Sequence, residues 1–556
     1  MKFTLTILLA FAVTAAVHGQ STLEPKKNLK PLKDEWPVYS GDLTGKRYSL
    51  LKHIDQSNVA NLSLAWATRI TPGAGPAGLA PGSAAGSFNR GTLPYPTIVS
   101  GLGTGELNTA SPFRLGSGIL KVGDTLYLST PDNAWAVDAL DGSIIWHYYW
   151  KTRGGMHNGN RGMGIFGDWL YFEVADDMLI SLDARTGKER WHKEIASFDD
   201  QYYATTAPIV IGNHVLVGTS NDTDAPGFLQ SYDPETGERQ WIHYDVPIKK
   251  GDPGLDTWPN LDAARHGGAQ AWFSGAYDLE TNLYIYGTGN PTPAYTAGRG
   301  DGDNLFTCSL VAVDLDTGEM KWYYQTSPHD THDWDSTEAP VLADIEIGGK
   351  IRKVVMLAMR NGYFFTLDRT TGEHLVTGKF GSINNWALGV DDKGHPKRNP
   401  ASDATIPGTL VNGDITNYPP PSFSPDTGYL YVIETNSLHI NYLVDPDPRG
   451  SMGLGGLMVG ATLPYPSNID AIDPKTGRIV WKHENGGSQG LLTTAGKLLF
   501  SGDGNYFVAY DADSGNPLWH TKIGIAGNAP ETYMLDGKQY ILATGGDQLW
   551  AFVLNK

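Results

Sequence analysis

The chain has 556 residues, with 42 Lys and Arg against 60 Asp and Glu, a formal charge of −18 at pH 7. That balance argues against nucleic acid as a partner and is compatible with a basic or neutral protein partner. A single cysteine, Cys308, excludes an intramolecular disulfide framework, and with no Cys-x-x-Cys-His motif the chain carries no covalent c-type haem of its own.

The opening, MKFTLTILLAFAVTAAVHGQ, sets Lys2 before an apolar run from Phe3 to about Val17, with small residues near Gly19. This is the pattern of a secretory signal cut near Gly19 or Gln20, and the run is short for a membrane anchor. No later run is long enough to span a bilayer, so the mature chain is expected to be soluble, without stable membrane insertion. Residues 1–20 are thus a signal peptide, 21–35 a polar, Lys-rich extended leader, and 36–556 one large domain. LSLAWATRI at 62–70 opens that domain as a strand, and the Gly/Ala/Pro/Ser-rich stretch at 72–86 reads as a surface loop.

Further along, one phrase recurs seven times: an apolar residue, Asp-x-x-(Thr/Ser/Asp)-Gly, and in six copies a Trp four residues after the Gly. It stands as AVDALDGSIIW at 136–146, SLDARTGKERW at 181–191, SYDPETGERQW at 231–241 and AVDLDTGEMKW at 312–322. It returns as AIDPKTGRIVW at 471–481 and AYDADSGNPLW at 509–519, while TLDRTTGEHLV at 366–376 lacks the Trp. Asp bonds to amides two residues on, Gly takes the positive φ that closes the turn, and Trp covers apolar area between neighbouring sheets. Each copy therefore predicts strand, tight turn, strand. The Asp positions step by 45, 50, 81, 54, 105 and 38 residues. Steps of about 40–50 are those of one four-stranded propeller blade. The step of 81 carries an insertion, and that of 105 predicts a degenerate copy at SFSPDTGYLYV, 422–432. With the opening strand, the expectation is an all-β propeller of about eight blades, docked by tryptophans.

Polar clusters outside the phrase are candidates for chemistry. SPHDTHDWDSTEAP at 327–340 gathers Asp330, Asp333 and Asp335 with His329 and His332. Carboxylates so close repel one another, and a bound cation relieves that; a solvated loop is the alternative. HGGAQAWFSGAYD at 266–278 holds Trp272, either a core residue or a face on which a flat ligand stacks. Asn290 lies in a Gly/Pro turn of YGTGNPTPAY at 286–295. Arg360, in AMRNGYFFTLDRTTG at 358–372, and Arg161, in NRGMGIFGDWLYF at 160–172, suit either a structural ion pair or an anionic ligand. Cys308, in LFTCSLVAV, reads as strand core.

These segments together resemble the pyrroloquinoline-quinone (PQQ)-dependent alcohol dehydrogenases, eight-bladed quinoproteins of the bacterial periplasm. The resemblance runs from EWPVYSGDLTGKRYS at 35–49 and NVANLSLAWATR at 58–69 to LLTTAGKLLFSGDG at 491–504 and ETYMLDGKQYILA at 531–543. It implies Asp333 as catalytic base, Arg360 as the arginine reaching the quinone oxygens, Asn290 as a metal ligand, and Trp272 as the platform beneath the cofactor ring. It implies that Arg161, Thr205 in YATTAPIV, Ser220 in VGTSND and Asn417 in GDITNYPPPSF hold the cofactor's carboxylates and carbonyls. Where the family has a metal-binding Glu, this chain has SNDTDAPG, which puts Asp222 in that place and Asp224 next. Asp335, two residues beyond Asp333, resembles the extra carboxylate of lanthanide-using relatives; with calcium, the other implied ion, it faces solvent or caps a turn. The implied reaction is oxidation of an alcohol or similar hydroxyl substrate by metal-assisted hydride transfer to PQQ. Electrons then pass to a separate acceptor such as a cytochrome c.

Four positions depart from the family's pattern. Its adjacent cysteines over the cofactor face are absent at 155–156, where Met156 and His157 would be the residues to cover the ring instead. Gln270 stands where Thr is common, Ser488 where a Trp lies near the site floor, and Asp222 is one methylene shorter than Glu. Pocket walls are expected from 72–107 and 384–386. A non-catalytic propeller scaffold of the outer-membrane assembly type, which shares the Trp phrases, is the alternative function. A quinoprotein that binds cofactor without turnover is a third.

Overall fold

The computed structural model describes residues 31, 33–70, 115–153, 159–200, 202–220, 222–296, 298–443, 456–461 and 466–555. The expectations for the signal segment, the stretch 72–107, and Met156 and His157 lie outside these residues.

Eight antiparallel four-stranded blades follow one another, at 120–149, 164–194, 209–244, 276–325, 341–379, 422–485, 491–522 and 531–554, the seventh extended by Tyr48–Ser49, which pairs in parallel with Leu491–Thr494. The eighth has three strands of its own and takes its fourth from Leu62–Arg69, in register from Leu62 opposite Leu554 to Arg69 opposite Gln548. The expected opening strand is thus the outer strand of the last blade, and it closes the ring by pairing the two ends of the domain. The seven phrases mark the first seven blades, and the composite eighth needs none.

One expectation is corrected. SFSPDTGYLYV forms the first two strands of the sixth blade, Ser422–Ser424 and Tyr429–Glu434, while the third, Ser467–Asp473, carries that blade's true phrase. Its Asp-Thr-Gly turn joins strands one and two rather than three and four, so it marks no extra blade. The long step instead holds two insertions. One is the hairpin Ala387–Val390 with Pro396–Arg398; the other is a three-stranded sheet of Thr409–Asn412, Leu438–Leu443 and Gly456–Ala461.

The phrase works as a joint between blades. Asp183 Oδ1 accepts from the backbone N–H groups of Arg185 and Thr186, both at 3.0 Å, and Gly187 turns the chain at φ +67°. A Cβ on Gly187 would lie 2.6 Å from the ring of Trp146, whose Nε1 donates to Ala184 O at 2.9 Å. Glycine is therefore required twice, by the left-handed turn and by the indole lying against it. Trp241, Trp322 and Trp481 dock in the same way on the next blade, donating to the carbonyls of Leu315, Arg369 and Ala512. Trp66 of the closing strand takes this place against Gly142 and so joins the eighth blade to the first. Where the Trp is missing, Val376 and Gly378 approach Gly477 directly, and a Cβ on Gly378 would lie 2.1 Å from Gly477 O. Cys308 is buried as expected, but it lies in the turn just before the strand Ser309–Asp314, at φ +47°, rather than within the strand. Among the described residues no helix is long and apolar enough to cross a membrane.

Candidate active site

In an antiparallel four-stranded blade, the turns between strands one and two and between three and four leave one end; the other two connections leave the opposite end. The docking phrases use the first end. Every site candidate falls at the second. Arg161, Thr205, Trp272, Asp333, Asp335 and Asn417 lie between the last strand of one blade and the first of the next. Ser220, Asp222, Asn290 and Arg360 lie between second and third strands.

Backbone pairing draws several of these together. The segment around Asn290 is bonded on one side to the Trp272 loop, by Ala269 N to Asn290 O at 3.0 Å and Gly289 N to Gln270 O at 3.0 Å. On its other side it meets the acidic loop, by Ser336 N to Thr288 O at 3.0 Å and Asn290 N to Asp335 Oδ1 at 2.7 Å. The approach is so close that a Cβ on Gly287 would fall 1.5 Å from Ser336 O. Of the acidic cluster, Asp330 is a brace: its carboxylate accepts the N–H groups of His332, Asp333 and Trp334 at 2.9–3.2 Å. Arg299 in turn holds Asp330 O. Asp333 and Asp222 both adopt left-handed backbone, at φ +68° and +63°, a conformation uncommon outside glycine and concentrated at functional sites.

Arg360 is the hub. Its Nη1 pairs with Asp335 Oδ2, its Nη2 lies 3.3 Å from Asp333 Oδ2, and Asp414 Oδ1 lies 2.9 Å from its Nε, off the N–H axis. Burial acts to lower the arginine's pKa, but Asp333, Asp414 and Asp335 outweigh it and hold the group well above its ordinary value. Burial pushes Asp333 well above the carboxylate range, against the pull of Arg360 and with the like-charge push of Asp222 and Asp335. Asp222 is pushed up to about 7 by burial and then by Asp335, with Arg360 and a hydrogen bond to Asn290 opposing. Three oxygens here are buried without a hydrogen-bond partner: Asp222 Oδ1, Asn290 Oδ1 and Asp333 Oδ1. Two carboxylates and an amide left unsatisfied in this way are the donor types a hard cation takes. Among the described residues no three His, Cys, Asp or Glu groups close on one point, and Arg360 stands between Asp333 and Asp335.

Beside this cluster is an aromatic and hydroxyl cradle. The Arg161 guanidinium lies 4.4 Å from the Trp272 ring centroid and 5.2 Å from that of Tyr418. Arg161 Nη1 also reaches Thr205 Oγ1, which lies 3.1 Å from Ser220 Oγ. Burial raises the Asp335 pKa against the pull of Arg360, and the nearby Trp272 indole N–H opposes the rise without the alignment of a hydrogen bond. Asn417 donates to Asp414 Oδ2 at 3.0 Å and so joins the group through Arg360's third partner. Asp224 points elsewhere, to His266 at 3.0 Å, on the rim of a separate open groove of about 620 Å³.

The chain is similar to known proteins over most of its length. The family described as "Glucose/ethanol/alcohol dehydrogenase, beta-propeller domain" matches residues 36–379. The quinoprotein alcohol dehydrogenase PedH of Pseudomonas putida is 30% identical, over 97% of this chain and 90% of its own length. A quinohemoprotein alcohol dehydrogenase of Comamonas testosteroni is 33% identical, over 92% of this chain and 72% of its own. Among solved structures, the quinohemoprotein alcohol dehydrogenase ADHIIG of Pseudomonas putida superposes with a TM-score of 0.81 at 28% identity, covering 96% of this chain and 80% of that one. A europium-containing methanol dehydrogenase superposes at 0.79 with 25% identity, covering 95% and 99%. The chain belongs to the PQQ-dependent alcohol dehydrogenase family. A second family, "Outer membrane protein assembly factor BamB", matches residues 466–555, a stretch that holds none of the candidate site residues.

Within that family the departures acquire local explanations. Gln270 donates to Thr223 O at 3.1 Å and Ala225 O at 2.9 Å, pinning the turn that carries Asp222. Ser488 is buried and bonded inward to Gly490 and Ser501. The stretch 384–386 is backing rather than an open pocket wall: Trp386, 1% exposed, and Asn384 both donate to Asn361 O and hold the turn of Arg360. Three residues escaped the sequence reading, Asp414, Glu338 and Tyr295. Glu338 Oε1 accepts the Arg360 N–H at 3.1 Å, and Tyr295 is buried where Asp333 is its strongest charged neighbour. Lone residues in irregular loops, they carry no pattern that would mark them.

Proposed function

We propose that this chain is a periplasmic PQQ-dependent dehydrogenase that oxidises an alcohol or similar hydroxyl substrate and hands the electrons to a separate acceptor such as a cytochrome c. The observation that carries the reading is Arg360 held among Asp333, Asp335 and Asp414, beside three unpartnered buried oxygens and an aromatic cradle. When bound, PQQ with its cation supplies a polarised carbonyl that accepts hydride. The chain's own residues do the rest. Asp333 Oδ2 lies against Arg360 and Oδ1 has no hydrogen-bond partner, so Asp333 is the carboxylate that takes the alcohol proton. Burial raises the basicity of that carboxylate against the pull of Arg360, and a neighbouring cation would favour its ionised form. Arg360 would turn its Nη groups to the quinone oxygens. Trp272 would carry the ring. Arg161 would leave the Trp272 face for the cofactor's carboxylates, with Thr205, Ser220 and Asn417 completing the donors.

Asp222, Asn290 and Asp333 would hold the cation. Calcium is served by these oxygens with further ligands from the cofactor. Asp335 as an added ligand, suited to a lanthanide, requires Arg360 Nη1 to release it. The leader at 1–20 supports export, and a relative from Thauera butanivorans, 31% identical, is named 1-butanol dehydrogenase (cytochrome c). The test is an absorption spectrum of the purified protein titrated with PQQ and calcium or lanthanum, followed by dye reduction with alcohols, aldehydes and sugars. Turnover that needs PQQ and one of the ions is expected; no spectral change with either ion overturns the proposal.

A further inference from the structure

We infer that Asp414 is a positioning residue for Arg360, an inference that rests on the dehydrogenase reading above. A guanidinium is a planar cation with donors at three corners, and here carboxylates meet the two Nη corners. Asp414 Oδ1 lies 2.9 Å from Nε, off the N–H axis, so a third negative group closes on the same cation. The contact is doubled through the backbone: Ile415, the next residue, donates its N–H to Arg360 O at 3.0 Å. Asp414 is itself fixed, since its Oδ2 accepts Asn417 Nδ2 at 3.0 Å, and Ile415 O accepts the Thr435 N–H at 2.6 Å. The same carboxylate therefore joins the arginine proposed for the quinone oxygens to the asparagine proposed for the cofactor's rim.

The alternative is a rim carboxylate that merely faces water. Asp414's side chain is 30% exposed, against 12% for Arg360, so it sits where the cluster meets solvent. A solvated rim carboxylate has no reason to hold one side-chain oxygen against Arg360 and the other against Asn417, with its neighbour's N–H on the arginine's own carbonyl. Asp335 and Asp333 would answer to a bound cation, so Asp414 is the carboxylate partner of Arg360 that is not assigned to the cation.

Asp414→Ala and Asp414→Asn separate the two readings. Measurements are PQQ dissociation constant by absorbance titration, kcat and KM for an alcohol at saturating PQQ, and melting temperature of the cofactor-free protein. Losing one charged partner of a buried cation predicts about tenfold weaker PQQ binding and about tenfold lower kcat for Asp414→Ala. Asp414→Asn, which keeps the side chain's shape and an oxygen for Asn417 but not the charge, recovers part of both losses. KM changes by less than about threefold and the melting temperature by less than about 2 °C, because the side chain is partly solvated. PQQ affinity and kcat within about twofold of the unaltered chain for Asp414→Ala, or losses accompanied by a clear fall in melting temperature, overturn the assignment. An unaltered chain that neither binds PQQ nor turns over overturns the dehydrogenase reading as well; a working unaltered chain with an indifferent Asp414→Ala overturns this inference alone.

Discussion

Replacing Arg360 with lysine keeps the charge and removes the fork. In the native structure three nitrogens meet three different carboxylates: Nη1 meets Asp335, Nη2 lies 3.3 Å from Asp333, and Nε lies 2.9 Å from Asp414. One ammonium on a flexible stem satisfies one of the two inner partners well and leaves the other short of a donor. Asp333 and Asp335 are 11% and 0% exposed, so the neglected carboxylate has little water to compensate, whereas Asp414, at 30%, is screened and counts for less. A charge-assisted hydrogen bond is worth about 1.5–3 kcal/mol, so Arg360→Lys is expected to lose about 2–4 kcal/mol of transition-state stabilisation. That corresponds to a fall in kcat/KM of roughly 30- to 1,000-fold. The assay is steady-state dye reduction at saturating PQQ and calcium, with the bound cofactor checked by its absorption spectrum. If Arg360→Lys retains kcat/KM within about threefold with full cofactor occupancy, the fork geometry is irrelevant to the reaction and the reasoning fails.

Other perturbations probe the frame around the site. Trp322→Ala removes a nearly buried indole that donates to Arg369 O at 3.2 Å and lies against Gly372; calorimetry is expected to register a loss of about 3–5 kcal/mol, and an unchanged melting temperature would refute the docking role. Gly287→Ala puts a methyl group where Ser336 O stands, next to Asp335, at an overpacking cost of about 1–3 kcal/mol. The chain should still fold while PQQ affinity drops, and undiminished PQQ affinity would show that the acidic loop tolerates displacement. Asp245 is fully buried, accepts the Tyr286 hydroxyl at 2.6 Å, and has its pKa pushed up to about 8 by burial. Its raised pKa means the folded state keeps a proton the unfolded chain gives up above its value of 3.8, so this group's contribution is full below about pH 4 and is lost as pH rises to about 8. Asp245→Asn has no such titration. Its stability should fall less steeply than the native protein's between about pH 5 and 8 in thermal melts, and parallel profiles would contradict the shift.

The fold was legible because its signal is local and repeated. Asp, Gly and Trp of one phrase lie within a dozen residues, and each copy independently specifies a turn and a docking surface. Where the same letters served another turn, at 422–432, the pattern misled, since a Thr-Gly turn looks alike between any two antiparallel strands. The residues at the centre of the site were legible through their likeness to a known family, while the residues that steady them were not. Glu338 and Asp414 act on Arg360 across 22 and 54 residues of chain, and Gln270 pins the Asp222 turn from 45 and 47 residues away. Such pairs exist only after segments far apart in the chain have been brought side by side. The sequence by itself therefore determined the blade, its joints and the chemistry its loops could carry, because those depend on neighbours along the chain. Tertiary structure alone decided which carboxylate faces Arg360, which oxygens are left without partners, and that the opening strand closes the last blade, because those depend on where ring closure places distant loops.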